Sequence, residues 1–166
     1  MPFTVRNFQP SDFDTLWHID QACFPSGISY SRAELRHHIQ RSAAFTLVAT
    51  GNASLKVDST LEAGKEISTS TAAGFIVAEG ESHQDGHIIT IDVLSAVRRF
   101  GVGSLLLRSA EQRLRSVGCR TVELEAAVDN LSALAFYKRH GYHVVRVSPR
   151  YYSNGVDALV MEKNLE

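Results

Sequence analysis

The stretch from His87 to Leu107 most constrains what this chain can fold into. Ile88, Ile89, Ile91 and Val93 are β-branched and suit a buried strand. Leu94 to Val97 makes a short turn. Arg98-Arg99-Phe100-Gly101-Val102-Gly103-Ser104 then opens a helix whose apolar residues, Val102, Leu105, Leu106, Ala110, Leu114 and Val117, recur every three or four positions. The first amides of a helix have no internal partner, and the macrodipole adds positive charge there. Such an end suits a phosphate group. Glycines let the ligand approach the backbone, and Arg98 and Arg99 add formal charge. A P-loop is excluded because no Gly-Lys-Ser/Thr closes the loop. A dinucleotide fingerprint is excluded because Leu106 stands where its third glycine belongs.

Around this stretch strands and helices are interleaved. Phe3, Val5 and Phe8 suggest a first strand. Ser11 to Asp14 reads as a helix start, with Phe13, Leu16, Trp17 and Phe24 on one face and Pro25 and Gly27 as breakers. Ser31-Arg32-Ala33-Glu34 is a second capping box, opening a helix through Leu35 and Ile39. Phe45 to Ala49 and Gly74 to Ala78 read as strands, as do Thr121 to Glu125, Val144 to Val147 and Asp157 to Met161. Asp129 or Asn130 caps a helix carrying Leu131, Leu134, Ala135 and Phe136, which Gly141 closes. Periodicity fails over residues 51–71, rich in Ser and Thr, which reads as a mobile hairpin extension. The Asn52-Ala53-Ser54 sequon within it is a chance match. The second half alternates β-α-β-α-β, so the expectation is a single α/β domain over 1–166, a sheet of six to seven strands with about four helices.

Composition narrows the function. A net charge of −1 excludes nucleic-acid binding driven by bulk charge. No run reaches the roughly 18 apolar residues of a membrane span. Met1 to Arg6 lacks a signal peptide's apolar core. Cys23 and Cys119 are too few for a disulfide framework, and the histidines, His37 and His38 included, show no metal-site spacing. The expectation is a cytoplasmic protein without metal, membrane or nucleic-acid partner, a monomer or homodimer.

The Arg98-x-x-Gly101-x-Gly103 pattern between a β-branched strand and a leucine-rich helix resembles the pyrophosphate motif of the GNAT superfamily of N-acetyltransferases. Ala133 to Tyr142 (ALAFYKRHGY) resembles that family's Ala-x-x-x-Tyr-x-x-x-Gly-Phe/Tyr segment, and Asn130 fits the asparagine before it. Three further patches resemble the N-terminal protein acetyltransferases of the RimI type: Cys23-Phe24-Pro25 with Tyr30-Ser31, Leu124-Glu125 followed by Asp129-Asn130, and Tyr151-Tyr152 before Asp157-Ala158. The chain departs from that pattern at Ala126-Ala127, at Gly27-Ile28 and in the insertion after the second strand.

The resemblance implies a GNAT fold with a mixed, mostly antiparallel sheet, and acetyl-CoA as co-substrate. It implies direct acetyl transfer to a primary amine, foremost the N-terminal α-amine of a protein or peptide. Glu125 becomes the general base, with His87 as an alternative, and Tyr137 the general acid. From residue type alone Glu125 is a solvated strand-end charge and Tyr137 a core tyrosine. Val93, Arg98, Arg99, Phe100, Gly101, Val102, Gly103, Ser104, Asn130 and Tyr137 become the acetyl-CoA contacts. Phe24, Pro25, Tyr30, Tyr151 and Tyr152 become acceptor walls or, equally, a local aromatic core. Asp92 receives no role. The alternatives are a family member acting on a small amine, such as a polyamine, amino acid or aminoglycoside, and a coenzyme-A sensor without catalysis. The presence of both Glu125 and Tyr137 argues against the sensor.

Overall fold

Ala72–Glu79 is apolar along almost its whole length because both of its faces are covered. It is β3 of a seven-stranded sheet in the computed structural model, which describes residues 3–51 and 72–166. The other strands are β1 (Phe3–Asn7), β2 (Ala44–Gly51), β4 (Gly86–Val93), β5 (Thr121–Ala127), β6 (His143–Ser148) and β7 (Ala158–Asn164). Their spatial order is β1-β2-β3-β4-β5-β7-β6. Every neighbouring pair is antiparallel except β4 with β5. Four α-helices accompany the sheet among the described residues: α1 (Phe13–Cys23), α2 (Arg32–Gln40), α3 (Val102–Ser116) and α4 (Leu131–Arg139). The mixed, mostly antiparallel architecture matches the expectation. The extension expected after β2 lies outside the described residues, apart from Gly51. No described helix is long and apolar enough to cross a membrane.

The alternation of β3 divides the core between the two faces. Ile76 and Ala78 join Leu106, Leu107, Leu114, Leu124 and Met161 under α3 and α4. Phe75 and Val77 join Leu16, Ile19 and Leu35 under α1 and α2. The buried stripe of α3 is Val102, Leu106, Leu107, Ala110 and Leu114. Val117, expected on that stripe, is the exposed C-terminal cap, one residue beyond the helix. Leu105 is half-buried beside the stripe.

Two helix starts follow their sequence signals. Ser31 Oγ accepts from the Glu34 amide while Glu34 accepts from the Ser31 amide. Asn130 Oδ1 accepts from the Ala133 amide at 3.2 Å. The first helix begins later than expected. Pro10–Asp12 forms a 3-10 turn, and Asp12 accepts from the Gln9 amide and from both terminal nitrogens of Arg6 on β1 at 2.8 Å. Asp14 pairs instead with Arg32 of α2.

One polar cluster lies in the interior between α3 and the sheet. Glu111 accepts from the Tyr142 hydroxyl at 3.0 Å and from Lys163 Nζ at 3.0 and 3.1 Å. It ties α3 to β7 and to the turn between α4 and β6. Replacing Glu111 with Ala strands a buried hydroxyl and a mostly buried ammonium, so urea unfolding should show a loss of about 2 kcal/mol. A loss below about 0.5 kcal/mol, the ordinary scatter of surface changes, would mean the cluster contributes nothing.

Candidate active site

Strands β4 and β5 are paired at only three positions: Gly86 with Val122, His87 with Glu123, and Ile88 with Leu124. Beyond them the strands part. On the β3 side, Ala78 pairs with Ile88 while Val77 pairs with Thr90, leaving Ile89 as an extra residue. Such a bulge bends its strand and increases the local twist. β5 keeps its register with β7 through Ala127. The result is a wedge-shaped opening between Thr90–Val93 and Glu125–Ala127, at the carboxyl ends of the only parallel pair in the described sheet.

His87 and Glu125 meet at the apex of this opening. His87 Nε2 donates to Glu125 Oε2 at 2.6 Å, and His87 Nδ1 lies 3.7 Å from Glu79 Oε1. Glu79 in turn pairs with Arg41 Nε at 3.1 Å. Burial works against a charge on His87. The hydrogen bond to Glu125 and the negative charges of Glu125 and Glu79 outweigh it, so His87 is held above its ordinary value. The two residues assigned to base duty are therefore one hydrogen-bonded unit.

Tyr137 sits on α4, near Asp92 and Tyr152. It is buried, and burial followed by the negative charges of Asp92 and Tyr152 pushes its hydroxyl well up. At neutral pH it is a proton donor. Its edge meets Phe136 and Tyr142.

Two loops flank the opening on the α1–α2 side. Phe24 ends α1, its amide donating to the Asp20 carbonyl, and Pro25 stops further helix. The loop that follows touches the β6–β7 loop, where Ser153 Oγ donates to the Gly27 carbonyl at 2.8 Å. Phe24 and Tyr30 are half-buried, Pro25 is exposed, and Tyr151 and Tyr152 form an edge-to-face pair with centroids 4.9 Å apart. Tyr151 is 48% exposed, while Tyr152 is half-buried. The Tyr30 carbonyl accepts from Trp17 Nε1 and Gln21 Nε2, fixing the loop to α1.

The α3 start presents the opposite face. Gly101 has φ of 81°, a left-handed conformation that glycine adopts without strain. Leu105 is the first residue to donate within the helix, to the Gly101 carbonyl at 2.9 Å. The amides of Val102, Gly103 and Ser104 precede it at the open end. A Cβ on Gly103 would lie 3.3 Å from the Phe136 ring, so a larger residue would crowd α4 at this end. Arg98, Arg99 and Phe100 are exposed. This set of amides and guanidinium groups suits a diphosphate in charge and donor chemistry. Arg98 also turns back: its Nε donates to the Val93 carbonyl at 3.0 Å, which Cys23 Sγ approaches at 3.4 Å. Burial, then the charge of Asp92, pushes the Cys23 thiol up to about 11.

Several contributors carry no sequence signal. His140 bridges the Phe136 carbonyl at 2.8 Å and Ser104 Oγ at 2.9 Å, anchoring α4 to the glycine loop. Glu79 and Arg41 extend the His87–Glu125 chain. Asp92, given no role from sequence, is buried at the opening together with Asp20. No group of three or more His, Cys, Asp or Glu side chains is placed to hold a metal among the described residues.

Comparison with known proteins identifies the family and the fold. The acetyltransferase (GNAT) family model matches residues 13–142, and the chain belongs to that family. An N-alpha-acetyltransferase of Sulfurisphaera tokodaii is 38% identical over 77 residues, 46% of each protein. One of Saccharolobus solfataricus is 26% identical over 98% of this chain and 93% of its own. The crystal structure of Ard1 from Thermoplasma volcanium superposes with a TM-score of 0.80 at 25% identity, over 99% of this chain and 98% of the other. The chain spans about half the length of the first curated relatives it matches.

The raised value of His87 makes stability pH-dependent. Its contribution is complete below the unfolded value of about 6.5 and fades as pH rises through the higher folded value. The melting-temperature gap between wild type and His87→Gln should therefore shrink from pH 6 to pH 9. A constant gap would mean that His87 carries no extra charge in the folded state.

Proposed function

We propose that this chain transfers the acetyl group of acetyl-CoA to the N-terminal α-amine of a protein or peptide. The observation that carries this reading is the His87–Glu125 pair at the apex of the β4–β5 opening, 2.6 Å apart and facing the side lined by Phe24, Tyr30, Tyr151 and Tyr152. Bound acetyl-CoA supplies an acyl thioester. The α3 amides with Arg99 hold the diphosphate, and the Asn130 amide group faces the pantetheine arm while its Oδ1 caps α4. The end of β4 at Val93 guides the same arm.

An α-amine with pKa of about 7.7 to 8.0 needs only a modest base. Glu125 accepts the amine proton, directly or through a water. His87 stays protonated longer than a free imidazole, and its ring N–H holds the Glu125 side chain in orientation. The Tyr137 hydroxyl donates its proton to the departing sulfur. The aromatic lining suits the first side chains of an extended peptide. The relatives named N-alpha-acetyltransferase support the same acceptor class.

Acetyl-CoA turnover on a panel of free-amine peptides against a panel of polyamines, amino acids and aminoglycosides tests the acceptor. Peptides should be acetylated at their N-terminus, and no peptide turnover would remove this reading. Tyr137→Phe and Glu125→Gln should each lower kcat by about a hundredfold, the usual worth of a positioned acid or base, with acetyl-CoA affinity within about threefold, well under one hydrogen bond. Unchanged kcat in either variant removes that residue's role.

A further inference from the structure

Asp20 and Asp92 are 0% and 1% exposed, and no described cation forms a salt bridge with either. Each carboxyl group uses one oxygen conventionally. Asp20 Oδ2 accepts from the Tyr30 amide at 2.7 Å and from Gln21 Nε2 at 3.3 Å. Asp92 Oδ1 accepts from the Thr90 hydroxyl at 2.6 Å. The other oxygens, Asp20 Oδ1 and Asp92 Oδ2, are buried and find no donor elsewhere among the described residues. The two carboxyl groups lie within hydrogen-bonding reach of each other. Two carboxylates in that arrangement would repel strongly, and both leftover oxygens would stay unsatisfied. One proton removes both costs, because it turns one group into a donor for the other.

We propose that Asp20 and Asp92 share a single proton, and that this acid–carboxylate clasp is a positioning device which holds the Tyr30 side of the acceptor groove against the end of β4. The clasp rests on reading that groove as the acceptor site. Its two arms reach the two halves of the site. Asp20 grips the Tyr30 amide, three bonds from that residue's ring, and Asp92 adjoins Val93, whose carbonyl takes Arg98 and Cys23.

Burial raises both carboxyl groups; the charge of Asp20 and its hydrogen bond raise Asp92 further, while the same bond holds Asp20 lower, so the shared proton rests on the Asp92 side. The groups facing them are Cys23 from α1, Tyr30 from the loop, Glu34 from α2, Arg98 after β4 and Tyr137 from α4. Arg98 is the one cation of that set, and its Nε is engaged by Val93. A raised carboxyl group contributes below its unfolded value and loses that contribution as pH climbs through the folded value. The clasp therefore opens on the alkaline side.

The test uses Asp20→Asn, Asp92→Asn and the double variant in the full chain. In either single variant the oxygen stays on Tyr30 or Thr90, and the new amide donates to the remaining carboxylate. Each single variant should keep peptide kcat/KM within about threefold of wild type at neutral pH, because the hydrogen bond is retained. In the double variant the two amide groups either meet NH2 to NH2 or one of them turns, and turning costs the Tyr30 amide its acceptor or the Thr90 hydroxyl proton its carboxylate partner. Peptide KM should rise about tenfold or more, well beyond the product of the single effects, with acetyl-CoA KM unchanged. Infrared spectra at neutral pH should show a carboxylic-acid carbonyl band in wild type that both single variants lack. The alkaline rise of peptide KM in wild type should be smaller in Asp20→Asn. Persistence of the acid band in Asp20→Asn, or additive effects in the double variant, overturns the clasp. If the double variant does not fold, the infrared bands and single-variant pH profiles still decide. If wild type acetylates no peptide, the acceptor reading fails, while the infrared bands and melting temperatures still test the shared proton.

Discussion

The site depends on the failure of two parallel strands to stay paired. β4 and β5 hold together through Ile88 and Leu124 and then separate. Each strand satisfies its backbone elsewhere: β5 along β7, β4 along β3 with Ile89 bulged out. The end of β4 is braced by the Leu94 amide on the Ala73 carbonyl and by Arg98 and Cys23 on the Val93 carbonyl. The gap breaks the sheet close to β3, the strand covered on both faces. The α3 amides lie on one side and the aromatic loops on the other.

The bulge also sets which side chains reach that point. Without it, the alternation of β4 would carry His87 and Asp92 to opposite faces. With Ile89 inserted, His87, Thr90 and Asp92 share the face covered by α1 and α2, while Ile88 and Ile91 face α3. The basic unit, the buried acid pair and the tyrosine-bearing loops are thereby collected on one side of the sheet. The phosphate-suited amides are left on the other.

Features fixed by neighbours in the chain were legible in the sequence. Ser31 and Glu34 lie three residues apart, so their capping box could be read directly, and so could Asn130 and the Gly101–Gly103 turn. Features fixed by distant partners were not. The start of α1 shifted because Arg6 on β1 claims Asp12. Val117 left its stripe because α3 ends one residue sooner. His140 with Ser104, Glu111 with Tyr142 and Lys163, and Asp20 with Asp92 join residues that only the sheet brings together. No propensity or period marks such pairs. Glu125 and His87 could each be picked out, but their hydrogen bond depends on the β4–β5 register.

On the proposed amine-acceptor reading, the two acid-centred pairs solve opposite parts of one electrostatic problem. An amine arrives mostly as an ammonium at neutral pH, and anions attract it. The same anions hold its proton and delay the neutral form that attacks. A bare cluster of Glu79, Glu125, Asp20 and Asp92 would bind the substrate in its unreactive form. His87, held above its ordinary value, offsets the charge beside Glu125, and Arg41 offsets Glu79. A proton shared between Asp20 and Asp92 leaves one negative charge there rather than two. The remaining field on that side is then weaker, while burial still leaves Tyr137 holding its proton at neutral pH.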